Sequence, residues 1–250
     1  MPAQDTAIQR LRVVTWNVHG CIDQRGRYTP ERTARVIRWL RPDVVALQEA
    51  NLAADPARDR LLQALRGTLP YWRFEPTHER DCRHRPGEVT GFGNLLLSRW
   101  PLTEQAPLEL SLGLREPRLA LRTRLATPAG AVHCWVIHFG LGLGERRAQG
   151  RRVAAAIARL PREEPLILTG DFNEWLPRAR SLRDLHRQMV RLPARRSFPA
   201  GRPLLALDQV WIRGPLHPHR VDVVRDPVLH RISDHLPVVA DLTLTAERST

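Results

Sequence analysis

Four short apolar runs in this chain each end on a polar side chain able to do chemistry, and that repeated pattern restricts the fold more than any other feature. Val13-Val14-Thr15-Trp16 leads to Asn17, and Val44-Val45-Ala46-Leu47-Gln48 leads to Glu49. Val132-His133-Cys134-Trp135-Val136-Ile137 ends on His138, and Leu166-Ile167-Leu168-Thr169-Gly170 runs into Asp171. Short, nearly unbroken apolar runs rich in β-branched residues read as buried strands. If these strands share a direction, their ends form one rim, the place where a rigid scaffold carries functional groups.

The segments between them set the fold class. Thr29 followed by Pro30 reads as an N-cap with proline at the first helical position, opening a helix over residues 30–41 that Pro42 stops. Further helices are expected over 58–69, 145–160 and 178–190, and extended segments over 12–16, 44–48, 71–75, 94–98, 119–126, 132–138, 166–170, 207–212 and 238–244. Thr127-Pro128-Ala129-Gly130 is a hairpin signal between two of them. Residues 76–90 are polar, rich in Arg and His and without apolar period, and read as an exposed loop and a candidate specificity element. Early helices alternating with strands, followed by a hairpin, predict an α/β protein built on mixed sheets rather than an all-parallel one. With no internal repeat or low-complexity linker, the 250 residues read as one domain.

Composition narrows the classes of function. No apolar run reaches the roughly 18 residues of a membrane span, and residues 1–12 lack the apolar core of a signal peptide, so a cytoplasmic protein is expected. Three cysteines, Cys21, Cys82 and Cys134, cannot all pair within one chain and read as free thiols, with Cys134 in the core. The net charge of +13 comes from arginine alone, since no lysine occurs, and the arginines are spread along the whole chain. That uniformity has the look of a composition bias, but the charge is physically present and favours a phosphate-bearing partner.

A glutamate, aspartates, asparagines and histidines at one rim suit a hard divalent cation and a phosphate. Mg²⁺ takes one or two carboxylates plus water and substrate oxygens, and nothing here resembles a Cys/His zinc cage. Hydrolysis of a phosphodiester needs an in-line water, a base and cations facing the non-bridging oxygens.

The ordered segments Thr15-Trp16-Asn17-Val18-His19-Gly20, Leu47-Gln48-Glu49, Gly91-Phe92-Gly93-Asn94-Leu95-Leu96-Leu97-Ser98, Val136-Ile137-His138, Gly170-Asp171-Phe172-Asn173, Leu207-Asp208-Gln209-Val210 and Ser233-Asp234-His235-Leu236-Pro237-Val238 resemble the motif series of the endonuclease/exonuclease/phosphatase superfamily. The resemblance covers residues 11–244. It implies a four-layer sandwich, two packed mixed β-sheets flanked by helices, with the active site at one end. It implies Mg²⁺, with Mn²⁺ as a substitute, held by Glu49 with Asn17 beside it and Asp234 close to the metal or to His235. Asp171 and Asn173 would position the attacking water and the phosphate, His235 would act as general base or phosphate stabiliser, and His138 would stabilise the phosphorane or assist the leaving group. Asp208 would orient a catalytic histidine, while Asn17, Asn94 and Arg118 would contact the substrate.

Each residue also has an ordinary structural reading. Glu49 taken alone is a solvated strand-end carboxylate, Asp171 a helix N-cap, Asn173 a turn former and His235 a partly buried histidine. It is their joint order that favours catalysis. His19 and the pair Arg146-Arg147 are weaker candidates. His78, Cys82 and His84 lack a fourth ligand for zinc, and Gly140-Leu141-Gly142-Leu143-Gly144 lacks the ending of a P-loop and reads as a turn into the following helix.

The substrate is either a nucleic acid or a phospholipid headgroup or small phosphoester. No aromatic hairpin for membrane insertion and no groove-binding segment stands out. A catalytically silent basic polyanion binder on the same fold is the alternative, disfavoured because such a module has no need to keep Glu49, Asp171, Asn173, Asp234 and His235 together. Nothing indicates an obligate protein partner, and a monomer is expected.

Overall fold

A computed structural model describes residues 6–81, 89–176, 178–193 and 195–247. In chain order the elements are β1 (Thr6–Asn17), α1 (Pro30–Leu40), β2 (Val44–Ala53), α2 (Arg60–Leu65), β3 (Tyr71–Asp81), β4 (Val89–Ser98), β5 (Leu102–Glu109), β6 (Leu119–Thr127), β7 (Gly130–His138), α3 (Leu143–Ile157), β8 (Leu166–Asp171), α4 (Arg183–His186), β9 (Val190–Arg191), β10 (Asp208–Arg213), β11 (Leu216–Val223) and β12 (Val238–Glu247). They form two six-stranded sheets, ordered β11-β12-β1-β2-β4-β3 and β5-β6-β7-β8-β10-β9. Each sheet has one parallel pair at its centre, β1 with β2 and β7 with β8, and antiparallel neighbours outside it.

Side-chain alternation along the central strands builds three cores. Val13, Val44, Ala46 and Leu96 of the first sheet meet Cys134, Val136, Ile167 and Val210 of the second, so the sheets pack face to face. The alternate residues of the first sheet, among them Val14, Trp16, Val45 and Leu47, pack against Ala34, Ile37, Leu61 and Leu65 of α1 and α2. Trp135, Ile137, Leu166, Leu168 and Trp211 of the second sheet pack against Val153, Ile157 and Leu185 of α3 and α4. The result is the helix–sheet–sheet–helix sandwich that the motif series implied. Because the strands of each parallel pair are buried on both faces, they read in the sequence as continuous apolar runs.

Several local expectations change. Thr29 sits at the N-cap of α1, but its hydroxyl makes no cap hydrogen bond; Pro30 already supplies the helical φ. The second helix is shorter than residues 58–69 because Asp59 caps it, its Oδ1 accepting from the backbone N–H groups of Leu61 (2.9 Å) and Leu62 (3.0 Å). The span 178–190 holds only the single turn of α4. There Leu182, Leu185 and Met189 mimic a helical period while the Ser181 carbonyl presses against Gly150 of α3. Residues 76–81 and 89–90 are not loop but the ends of paired strands β3 and β4, with Glu79 opposite Gly91 and Asp81 opposite Val89. Cys82, His84 and the remainder of that expected loop lie outside the described residues. Cys21 and Cys134 are both buried, and burial pushes the Cys134 thiol up to about 12, which keeps it inert at neutral pH.

Candidate active site

Strand register places the site. In the second sheet His138 stands opposite Asp171 across the parallel β7–β8 pair, and Asp171 stands opposite Asp208 across the antiparallel β8–β10 pair. One row therefore carries His138, Asp171 and Asp208 at the same end of three adjacent strands. In the first sheet Asn17 ends β1 beside Gln48 of β2. The pairing of β2 with β4 then slips between Leu47 and Ala50, so that Gln48 and Glu49 together oppose Asn94. This bulge puts Glu49 at φ 56°, a left-handed conformation that a non-glycine residue adopts at a cost of order 1 kcal/mol. It redirects the carboxylate toward the end of β1 while β2 continues past it.

The two rows meet. Asn17 Nδ2 donates to Glu49 Oε1 at 3.0 Å and to Asp171 Oδ2 at 3.2 Å. His138 Nε2 lies 3.6 Å from Asp171 Oδ2 and 3.9 Å from Glu49 Oε1. The loop before β12 brings His235, whose Nε2 is 3.7 Å from Asp171 Oδ2 and whose Nδ1 is 2.9 Å from Asp208 Oδ2. That loop is pinned to the rim by Ser233 Oγ donating to the Asn17 carbonyl (2.7 Å) and by Trp16 Nε1 donating to the His235 carbonyl (2.8 Å). Asn173, at φ 48°, donates its backbone N–H to Asp171 Oδ1 (2.8 Å) and its amide to the Phe139 carbonyl (2.8 Å). Asp234 is half exposed and approaches Glu49 through His19, whose Nδ1 is 3.7 Å from Asp234 Oδ1 and 3.7 Å from Glu49 Oε2.

Arg118 is buried at the start of β6, with Nη2 on Glu116 Oε2 (2.8 Å) and a buried Nε that has no acceptor among the described residues. The Asn94 amide, like that of Asn173, is committed to a backbone carbonyl: it donates to that of Leu119 at 2.9 Å and so ties the first sheet to the strand that begins beside Arg118. Three contributors carried little or no signal in the sequence. His19 bridges two carboxylates, Ser197 Oγ donates to Asp208 Oδ2, and the Phe198 ring packs on His235 at 4.7 Å between centroids. Ser197 and Phe198 come from an irregular stretch with no motif. His19 is the weaker candidate already named, two residues after Asn17.

The electrostatics separate the two histidines. Burial would push the His235 imidazolium toward neutrality, but the charge and hydrogen bond of Asp208, with Asp171 and Asp234, outweigh it and hold the ring up at about 10. Burial, then the positive fields of Arg118 and His235, drive His138 well below its ordinary value, so that ring is neutral. Burial is also the largest influence on Asp171 and raises it to about 6, helped by Asp208 and opposed by His235 and by hydrogen bonds from Asn173 and Asn17. Asp171 and Asp208 face each other in register, which repels unless a cation joins them. The His235 imidazolium is that cation.

A stability consequence follows from the sign of these shifts. A group whose folded value is raised stabilises fully below its ordinary value and loses that contribution as pH rises through the folded one. For His235 that window runs from about 6.5 to about 10. In chelator-treated protein the unfolding free energy is expected to fall across it by on the order of a few kcal/mol. His235→Gln is expected to flatten that fall, as read by urea titrations at successive pH values. An unchanged slope in the variant would disprove a charged His235.

Gly170 sets the spacing of the row. Its φ is 140°, and a Cβ there would sit 2.0 Å from the Ile137 carbonyl oxygen. Only glycine lets β8 approach β7 closely enough to set Asp171 beside His138. Gly170→Ala is expected to cost about 3 kcal/mol in chemical denaturation; a cost below about 1 kcal/mol would mean that the close approach is not required.

The two packed six-stranded sheets are the fold of a known class of phosphoester hydrolases, and comparison with known proteins assigns the chain to it. The profile of the Endonuclease/Exonuclease/phosphatase family matches residues 14–235, so the chain belongs to that family, whose members are hydrolases acting on phosphoesters. It is 27% identical over 247 residues to the Uncharacterized protein YbhP of Escherichia coli, covering 94% of this chain and 96% of that one. It is also similar to a solved endonuclease/exonuclease/phosphatase from Beutenbergia cavernae, with 25% identity, a TM-score of 0.74, and coverage of 94% of this chain and 72% of that chain. The mannosyl-6-phosphatase of Bacteroides thetaiotaomicron shares the fold, at 17% identity and a TM-score of 0.69, covering 93% of this chain and 99% of that one.

Proposed function

We propose that this protein is a divalent-metal-dependent phosphodiesterase, using Mg²⁺ with Mn²⁺ as a substitute. The observation that carries the reading is the convergence of Glu49, Asn17, His138, Asp171 and the His235–Asp208 pair within hydrogen-bond or ion-pair reach of one another. Two carboxylate groupings compete for the metal. Asp171, Asp208 and His235 lie close together but are buried, and His235 there is a cation, which disfavours a second one. Glu49 is partly open to solvent, as suits a carboxylate holding a hydrated Mg²⁺, and the buried amide of Asn17 stands beside it. Glu49 and Asn17 are the residues we assign to it, with Asp234 at the rim. When bound, the ion would polarise a non-bridging phosphate oxygen and stabilise the departing one.

The chain's own groups supply the remainder. Asp171, raised to about 6, is ionised at neutral pH yet basic enough to take a proton from a water held between it and Asn173. His235 keeps its proton and faces the phosphate as a positive charge, which favours the stabiliser role over the general base. Neutral His138 would hydrogen-bond the reacting phosphoryl group, and the positive charge of Arg118, felt at His138, would attract the phosphate. Phosphodiester specificity is tested by comparing release from bis-(p-nitrophenyl) phosphate and p-nitrophenyl phosphate under Mg²⁺. Faster turnover of the diester is expected. Turnover of the monoester alone would replace the diesterase reading with a phosphomonoesterase.

A further inference from the structure

Beside the site lies a surface that the proposed chemistry does not use. Leu114 is as exposed as a side chain can be, and Leu141 (77%), Leu143 (62%), Leu176 (54%) and Trp175 (43%) also stand in solvent. A single exposed leucine is ordinary, whereas a contiguous group marks an interaction surface. These five come from three neighbouring segments, Leu143 being the first residue of α3. Arg115 Nη1 lies 2.8 Å from where a Cβ on Gly142 would be and 3.4 Å from Glu145 Oε2, which joins the Leu114 loop to the Leu141–Leu143 loop. Arg146 donates to the Leu141 carbonyl and sets its guanidinium 5.9 Å from the Trp175 ring, which joins the second loop to the third.

The same loops lead out of the site. Leu141 follows His138 by three residues, Trp175 follows Asn173 by two, and Leu114 precedes Arg118 by four. Buried polar side chains brace them from beneath. Gln149 Oε1 accepts from the Gly140 N–H at 2.8 Å, Gln149 Nε2 donates to the Leu110 carbonyl at 3.2 Å, and Glu174 Oε1 accepts from the Leu176 N–H at 3.2 Å. The apolar tips are thus held outward by a fixed scaffold rather than left exposed by slack chain. The same segments carry the exposed arginines Arg115, Arg147, Arg178 and Arg180, which outnumber the exposed Glu116 beside them.

We propose that this rim docks on an anionic phospholipid bilayer, its leucines and Trp175 entering the boundary between headgroups and acyl chains, so that the substrates of the neighbouring site are phosphoesters of lipid headgroups. Interfacial binding draws on buried apolar area and on attraction between basic residues and anionic lipid, and tryptophan favours that depth. A nucleic acid would engage the arginines but would leave four leucines without a role. The substrate half of the proposal rests on the phosphodiesterase reading; the docking half does not.

The test uses the full chain, vesicles of phosphatidylcholine alone or mixed with phosphatidylglycerol, and the double variant Leu141→Ser, Leu143→Ser, neither residue being part of the catalytic machinery. The native protein is expected to co-sediment with the anionic vesicles, less with the neutral ones and less at high salt. The double variant is expected to bind the anionic vesicles at least about tenfold more weakly, while turning over bis-(p-nitrophenyl) phosphate at the native rate. Vesicle binding should also shift tryptophan emission to the blue in the native protein, with a smaller shift in Trp175→Phe. Equal vesicle binding by native and variant proteins would overturn the docking. So would absence of native binding, including the case in which the leucines prove to mediate self-association instead. Docking that depends on the leucines, without turnover of any phosphoester, would uphold the surface and remove the phosphodiesterase reading.

Discussion

Glu49→Ala is expected to lower metal-dependent phosphodiester turnover on the order of a thousandfold or more while leaving the protein folded. The size follows from what the residue is assigned to do, since a metal facing the reacting phosphate supplies several kcal/mol of charge stabilisation that no neighbour can replace. The retention of fold follows from where it sits. Glu49 is partly exposed and occupies a bulge rather than a ladder position, and its contacts, a hydrogen bond from Asn17 and the approaches of His19 and His138, are with other residues of the site. Alanine keeps the left-handed strain at φ 56° but removes a negative charge from a cluster that already holds Asp171 and Asp208. Thermal unfolding within a few degrees of the native protein is therefore expected, together with loss of the heat of Mg²⁺ binding in calorimetry. A variant that still turns over at more than a tenth of the native rate would remove Glu49 as the metal ligand.

Asp208→Asn carries the second large effect, by a different route. Asp208 is fully buried; its Oδ2 takes the His235 Nδ1 and the Ser197 hydroxyl, and its Oδ1 has no partner among the described residues. Asparagine preserves the shape but removes the charge that keeps His235 protonated, so the ring should fall from about 10 toward its ordinary value. Turnover is expected to drop by about 10²- to 10⁴-fold, the range seen when the carboxylate behind a catalytic histidine is neutralised. The His235 proton signals, followed against pH by NMR, separate this positioning role from simple damage. Asp208→Ala, which leaves the imidazolium buried and unpaired, should in addition destabilise by about 3 kcal/mol or more. If His235 titrates in Asp208→Asn as it does in the native protein, the pair does not set the charge of the site.

The contrast between what could and could not be read from the residues has a physical basis. The central strands were readable because β1, β2, β7 and β8 are buried on both faces and so are written as continuous apolar runs. Their ends gave Asn17, Glu49, His138 and Asp171 directly. The edge strands β5 and β11 were not, because an edge needs only half its residues buried and is kept from aggregating by polar residues. Thus β5 carries Glu104 and Glu109, and β11 carries His217, Pro218 and His219. The ends of β3 and β4 were hidden in the same way, their arginines and histidines imitating a loop.

The site itself was readable in its residue types but not in its geometry. A run ending at Gln48 suggests that the strand stops there, whereas the chain instead spends backbone strain on a bulge that no glycine announces. The facing pair of Asp171 and Asp208 is a consequence of register, which residues far apart in sequence do not disclose. His19, Ser197 and Phe198 reach the cluster from irregular segments, where only tertiary packing decides what a side chain meets. The leucines flanking Gly142 read as part of a turn, because sequence gives no account of which turn residues will face a neighbouring loop.

The most direct measurement of the central claim is hydrolysis of bis-(p-nitrophenyl) phosphate by the native protein, first stripped with a chelator and then resupplied with Mg²⁺ or Mn²⁺. Turnover that vanishes on stripping and returns with either ion is the predicted result. Turnover indifferent to the chelator, or a folded protein inert with both ions toward this diester and toward anionic phospholipid vesicles, would contradict a metal-dependent phosphodiesterase.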